Sequence, residues 1–325
     1  MVLLLLAAFM AWTIPARHFR EHLLAEAIGA GRGRWIDAGD ARIFIQEWGT
    51  SGRPTVLLVH GTGAWSGTWF TLPDALASAG WRVVAMDLPP FGLSQTGNPD
   101  ARGDYSRTAQ ARRVLRTIDA LGVPVTLVGH SFGAGPALEA AMLGGSQVRQ
   151  LVLIDPALAL GADGTAPHCD PGQSQLWLLR NRVSATVLLG SSVTWPPTTG
   201  FFLRQFVHRK EVVTESLLAS YREPFAREGF SQGLADWALA FSGSACETAQ
   251  SLSPERLKTW SSGRPPLTLL WGEQDSVTPL AQAQALMRWM PDTRLVVLPG
   301  VGHIPHIEAP RELERALLKV MAPPS

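Results

Sequence analysis

Six short runs of β-branched residues and leucine punctuate this chain, and between several of them apolar residues recur at helical spacing. Residues 55–60 (TVLLVH) form the first such run, of the kind that is buried on both faces of a sheet. Residues 82–87 (RVVAMD), 125–128 (VTLV), 151–155 (LVLID), 266–272 (PLTLLWG) and 293–298 (TRLVVL) repeat the pattern. Residues 72–79, 105–121 and 134–142 read as intervening helices. Strands alternating with helices imply a parallel sheet covered on both faces. Upstream, residues 34–37 (RWID) and 42–48 (RIFIQEW) read as an antiparallel hairpin around Gly39-Asp40, which would make the sheet mixed. Between residues 156 and 265 the alternation stops. That stretch is rich in Trp, Phe and Leu, with helix-like segments and loops at 165–167 and 195–197.

The N-terminal residues 1–16 (MVLLLLAAFMAWTIPA) are apolar and uncharged. A full membrane span needs about 20 such residues. No Lys or Arg precedes the run, as one would in a secretory signal. Arg17, His18 and Arg20 follow it, an order that suits an anchor with the rest of the chain on the cytoplasmic side. We therefore expect membrane association through residues 2–16, with a signal peptide or a packed helix as the alternatives. Residues 19–28 have helical amphipathicity, end at Gly29-Ala30-Gly31, and could form a collar between anchor and domain.

Composition narrows the function classes. Of 325 residues, 46% are hydrophobic and 17% charged, enough for one large domain with an insertion or for two small domains. A net charge of +1 without a long basic run gives nucleic-acid binding little support. Cys169 and Cys246 lack metal-like spacing, and either one disulfide or two free thiols fits them.

The chemistry centres on Gly129-His130-Ser131-Phe132-Gly133, which sits between a strand-like run and a helix-like run. A Ser at so sharp a turn takes a strained backbone, and a Cβ at either glycine would strike a neighbouring element. The turn lifts the Ser131 hydroxyl clear of the sheet, near a helix N-terminus. Here the chain resembles the α/β-hydrolase family, whose Gly-x-Ser-x-Gly nucleophile elbow it matches. The resemblance covers residues 35–318. It implies a mostly parallel doubly wound sheet, with a core of residues 34–155 and 266–325 and a helical cap of residues 156–265.

The family order is nucleophile, acid, base. Gly272-Glu273-Gln274-Asp275-Ser276-Val277-Thr278-Pro279 follows a strand, so Asp275 sits at the sheet's C-terminal edge, where ligands of open α/β sheets gather. Gly300-Val301-Gly302-His303 follows the last strand and can bring His303 to the same rim. Ser131, Asp275 and His303 are the expected triad. Asp155, Glu273 and His306 are the rivals. The expected oxyanion donors are the backbone N–H groups of Phe132 and of Thr62, in His60-Gly61-Thr62-Gly63, with His60 bracing that loop. Asp87-Leu88-Pro89-Pro90-Phe91-Gly92-Leu93-Ser94 is similar to the family's Asp-x-Pro-Gly-x-Gly-x-Ser segment, with Pro90 replacing the first Gly.

These features imply a serine hydrolase acting through an acyl-enzyme. The leading substrate is a small hydrophobic carboxylic ester. A C–C bond hydrolase for vinylogous diketones and a perhydrolase are alternatives on the same triad, although relatives of the C–C type often carry Trp where this chain has Ile304. A non-catalytic binding protein is the alternative of another class. Epoxide hydrolase and haloalkane dehalogenase are disfavoured, because those mechanisms need a carboxylate at position 131. Trp177, Trp195, Phe201, Phe202, Phe206, Trp237 and Phe241 suggest an apolar pocket under the cap. No metal or organic cofactor is implied.

Overall fold

The computed structural model describes residues 20–97, 103–161, 165, 181–241, 248–260 and 263–321. Among the described residues nine strands form one sheet: β1 (Arg34–Asp37), β2 (Ala41–Trp48), β3 (Thr55–Val59), β4 (Arg82–Met86), β5 (Gln95–Thr96), β6 (Val125–His130), β7 (Val148–Ile154), β8 (Leu267–Gly272) and β9 (Arg294–Leu298). The order is β1-β2-β4-β3-β6-β7-β8-β9, with β5 paired to β2. From β4 to β9 every neighbouring pair is parallel, while β1, β2 and β5 pair antiparallel. This is the mixed sheet expected from the hairpin and the apolar runs.

The central strands are buried on both faces because helices cover both. Every residue of β3, β6 and β8 is buried. Leu57, Val59, Leu127 and Leu153 belong to one core layer, and Val56, Leu58, Val128 and Val152 to the opposite one, as strand alternation requires. One of the covering helices, Arg107–Leu121, has clear punctuation. Ser106 accepts the Ala109 N–H at 3.2 Å at its start, and Gly122 ends it in the left-handed region at φ 70°.

Between β7 and β8 lies the cap. Its described helices are Arg182–Ser191, Pro196–Phe206, Glu215–Arg222, Phe230–Phe241 and Pro254–Trp260. Arg227 fastens it to the core. Its guanidinium is buried and donates to the carbonyls of Gly92 (3.0 Å) and Pro90 (2.8 Å).

The N-terminal expectations need correction. No helix among the described residues is long and apolar enough to cross a membrane. The membrane anchor over residues 2–16, and the cytoplasmic placement that rested on it, are therefore withdrawn; the run is also shorter than the roughly 20 residues a span requires. Residues 2–16 lie outside the described residues, as do Cys169, Trp177 and Cys246. Among the described collar residues Arg20 is helical and a second helix covers Ala25–Gly29, and between them Leu23 forms an isolated parallel bridge with Arg227.

Candidate active site

The Ser131 turn is built by close approach. Ser131 has φ 51°, left-handed backbone that a residue with a side chain adopts only under constraint. A Cβ at Gly129 would stand 2.7 Å from the Ala134 Cα, and one at Gly133 would stand 2.3 Å from the His60 carbonyl oxygen. Only glycine lets strand β6, the following helix Ala134–Gly144 and the loop after β3 meet this tightly.

Three side chains distant in sequence join at the C-terminal rim. His303 Nε2 lies 2.7 Å from Ser131 Oγ, and His303 Nδ1 lies 2.8 Å from Asp275 Oδ2. Asp275 is itself held firmly. Its Oδ1 accepts the N–H groups of Val277 (2.7 Å) and Thr278 (2.9 Å), and its Oδ2 accepts the Thr278 hydroxyl at 2.6 Å. Burial pushes the Asp275 carboxyl upward, but its hydrogen bonds with His303 and Thr278 and its attraction to His303 outweigh that and hold it below the ordinary value. An ionised Asp275 fixes the Nδ1–H tautomer of His303 and leaves Nε2 free to accept the Ser131 proton.

The rivals occupy other roles. Asp155 directly follows β7, in the left-handed region at φ 43°, and its Oδ1 accepts the Gly272 N–H at 2.7 Å. Burial, then the charge of Asp275, raises its carboxyl well above the ordinary value, so it stays neutral beside an ionised neighbour. Glu273 turns outward and accepts the Gly300 N–H at 3.0 Å. His306 packs on Trp69, with ring centroids 4.8 Å apart, and on His130 at 4.9 Å.

His60 braces the loop as expected. Its Nδ1 donates to the Gly61 carbonyl at 2.8 Å, and its Nε2 accepts the Leu88 N–H at 2.9 Å. Burial brings it down to about 4, so it remains neutral and holds that tautomer. Asp87 ties the neighbouring loop by accepting the N–H groups of Ser66 (2.6 Å) and Leu93 (2.8 Å). The Pro89–Pro90 bond in this segment is cis. His130 Nε2 donates to the His303 carbonyl at 2.8 Å, and burial, then the charge of His303, brings His130 down to about 3.

A cavity of about 290 Å³ opens from Ser131 and His303 under the cap. Thr62 lies at its rim, and Phe91, Phe202, Leu203, Phe206 and Trp237 supply much of its apolar wall. Among the described residues no Asp, Glu, Lys or Arg lines it. Phe132 faces Trp237 edge-on at 5.4 Å, and Phe241 stacks on Trp237 at 4.9 Å. Of the other cap aromatics, Phe201 points outward and is 63% exposed, and Trp195 lies under the Arg20 guanidinium. Among the described residues no cluster of His, Cys, Asp or Glu could hold a metal ion.

Sequence reasoning missed Thr278, Arg227 and Glu308. Thr278 stood inside the quoted acid segment, three positions after Asp275, where an Asx-type turn returns its N–H and hydroxyl to the carboxylate. Arg227 lies in a cap loop and carried no pattern to mark it.

Comparison with known proteins agrees with this geometry. The sequence profile of the α/β hydrolase fold matches residues 54–310. A 2-hydroxymuconate semialdehyde hydrolase of Pseudomonas putida is 28% identical over 298 residues, covering 89% of this chain and 94% of that one. An uncharacterised hydrolase of Bacillus subtilis (strain 168), YugF, is 25% identical, covering 88% of this chain and 95% of that one. Among solved structures, the 2-hydroxy-6-oxo-6-phenylhexa-2,4-dienoate hydrolase of Rhodococcus sp. strain RHA1 superposes with a TM-score of 0.69 at 19% identity, covering 88% of this chain and 97% of that one. With a profile match over most of its length and a Ser–His–Asp hydrogen-bond chain at the sheet rim, the chain belongs to the α/β-hydrolase fold family and is a serine hydrolase.

Proposed function

We propose that this hydrolase cleaves a carbon–carbon bond of a vinylogous diketone, with Ser131 as nucleophile, His303 as proton carrier and Asp275 as the group that orients His303. The observation that carries hydrolysis is the hydrogen-bond chain from Ser131 through His303 to Asp275, opening on an apolar chamber. The choice of bond is supported by the names of two relatives, a 2-hydroxymuconate semialdehyde hydrolase and a 2-hydroxy-6-oxo-6-phenylhexa-2,4-dienoate hydrolase. This reverses the order expected from sequence, where the ester stood first.

In this reading His303 takes the Ser131 proton as Oγ attacks the ketone carbon. The oxyanion meets the N–H groups of Phe132 and Thr62, each a donor whose loss typically costs about 100- to 1000-fold. Collapse expels the carbon leaving group, whose electron pair spreads over its conjugated carbonyl and takes the proton from His303. Water, deprotonated by His303, then releases the acid and restores Ser131. Residues 34–155 and 266–325 serve as the core that holds the triad, and residues 156–265 as the cap that shapes the chamber.

A specific observation favours ester hydrolysis as a second reading. No charged residue lines the chamber among the described residues. A substrate carboxylate would be buried there without a cation, which is costly, whereas an apolar ester brings no charge. The test is turnover of vinylogous diketones, with and without a carboxylate, beside a chain-length series of nitrophenyl esters. Diketone cleavage that disappears in Ser131→Ala, by as much as about a million-fold, is the expected result. Turnover of esters alone would replace the first reading by the second. Turnover of neither would contradict both.

A further inference from the structure

The buried carboxyl of Glu308, at the end of the short helix Pro305–Glu308, has no place in the chemistry above, yet it gathers four backbone donors. Its Oε2 accepts the N–H groups of Gly302 (3.0 Å), His208 (2.9 Å) and Arg209 (3.0 Å), and its Oε1 accepts that of Ile304 (3.2 Å). Gly302 and Ile304 flank His303 on either side. His208 and Arg209 belong to the cap, just beyond the helix Pro196–Phe206. The same two segments are joined three more times. The His303 N–H donates to the Phe206 carbonyl at 3.2 Å, Arg209 Nε donates to the Gly300 carbonyl at 3.0 Å, and Arg209 Nη1 donates to the Glu308 carbonyl at 3.1 Å.

Both oxygens of this carboxyl are engaged, Oε2 by three N–H groups and Oε1 by one. Burying it is tolerable because these backbone donors replace the water it loses. Asp275 fixes the imidazole of His303, but nothing in the triad fixes the backbone that carries it. Glu308 holds that backbone from both sides, and the cap lies on the same carboxylate.

We propose that Glu308 is a positioning residue that locks the His303 loop and cap residues 206–209 into one unit, so that His303 reaches Ser131 only with the cap seated. The cap is then part of the catalytic base's support as well as the wall of the chamber. Phe206, whose carbonyl takes the His303 N–H, also lines that chamber, so the cap meets the substrate and the base through one residue. The inference rests on the hydrolase reading of Ser131 and His303, and it is independent of which bond is cleaved.

Phosphorylation of the full chain by diethyl p-nitrophenyl phosphate tests it, because the nitrophenolate burst counts competent serines and its rate reports their activation. In Glu308→Gln one oxygen becomes an NH₂ group facing an N–H donor. The burst should stay at one per chain while its second-order rate constant falls roughly 10- to 100-fold, the scale of a small misplacement of a reacting group. A purely structural role would instead reduce the burst amplitude and leave the rate per competent site unchanged, which would overturn the proposal. Arg209→Met, which removes only the two side-chain bonds, should give a full burst with a smaller slowing and carries the test if Glu308→Gln does not fold. Wild-type rates in both variants would overturn the proposal while leaving the hydrolase reading intact. A wild-type chain that does not react would overturn the hydrolase reading and this inference with it.

Discussion

At Asp155 and Asp275, environment decides which of two neighbouring buried carboxyls is charged. Asp275 receives three donors besides His303, whereas Asp155 receives one N–H and leaves its Oδ2 without a donor. Asp155 is therefore held neutral and Asp275 ionised. Asp155→Asn should keep kcat within a few-fold, while Asp275→Asn should lower it by about 10,000-fold through the wrong His303 tautomer. The raised carboxyl also has a stability sign. The folded state keeps a proton on Asp155 that the unfolded chain has already lost, so this contribution is full below the ordinary carboxylate value and lost as pH rises through the folded one. Chemical denaturation should accordingly find Asp155→Asn gaining on the wild type as pH rises. The three triad positions could be read from sequence because each lies in a short motif at a strand end. The protonation of Asp155 could not, since burial and the nearness of Asp275 exist only in the fold.

Among the elements, the Ser131 turn is the least forgiving. Gly133→Ala would drive a Cβ into the His60 carbonyl, a backbone atom that cannot swing aside. It should destabilise the chain by about 3 kcal/mol or more, measurable as a fall in denaturant midpoint, and should displace Thr62 with the His60 loop. The main strands were legible to within a few residues because burial on both faces writes a continuous apolar run. Strand β5 was not, since Gln95–Thr96 is two polar residues that pair only because β2 is there. The collar was read as one helix, but Leu23 pairs with Arg227, a tertiary contact that amphipathicity does not announce. In the cap, Phe202 and Phe206 stand one helical turn apart and both reach the chamber, while Phe201 lies on the outer face.

Across the whole molecule, three buried histidines stay neutral around the loops that carry the site. Burial brings His60 to about 4 and His130 to about 3, and drives His306 well below its ordinary value. Their sign is opposite to that of Asp155. The unfolded chain takes up protons below about 6.5 that the folded chain refuses, so stability is full above that value and falls as pH drops toward the folded ones. Asp87, raised by burial to about 6, opposes part of this slope, so the comparison is best made between variants. The difference in thermal midpoint between His306→Phe and the wild type should move in favour of the variant as pH falls from about 7 to 4. Sheet, cap and triad order could be read from the chain. The expected N-terminal anchor finds no membrane-spanning helix among the described residues, and the choice between diketone and ester turns on chamber chemistry that motifs leave open. What all of this depends on is an activated Ser131, and covalent labelling of the folded full chain with a fluorophosphonate, located by peptide mass spectrometry, tests it most directly. One phosphonyl group on Ser131, absent in Ser131→Ala and strongly slowed in His303→Ala, is the expected result; a folded chain left unmodified, or modified with Ser131 intact, would contradict the account.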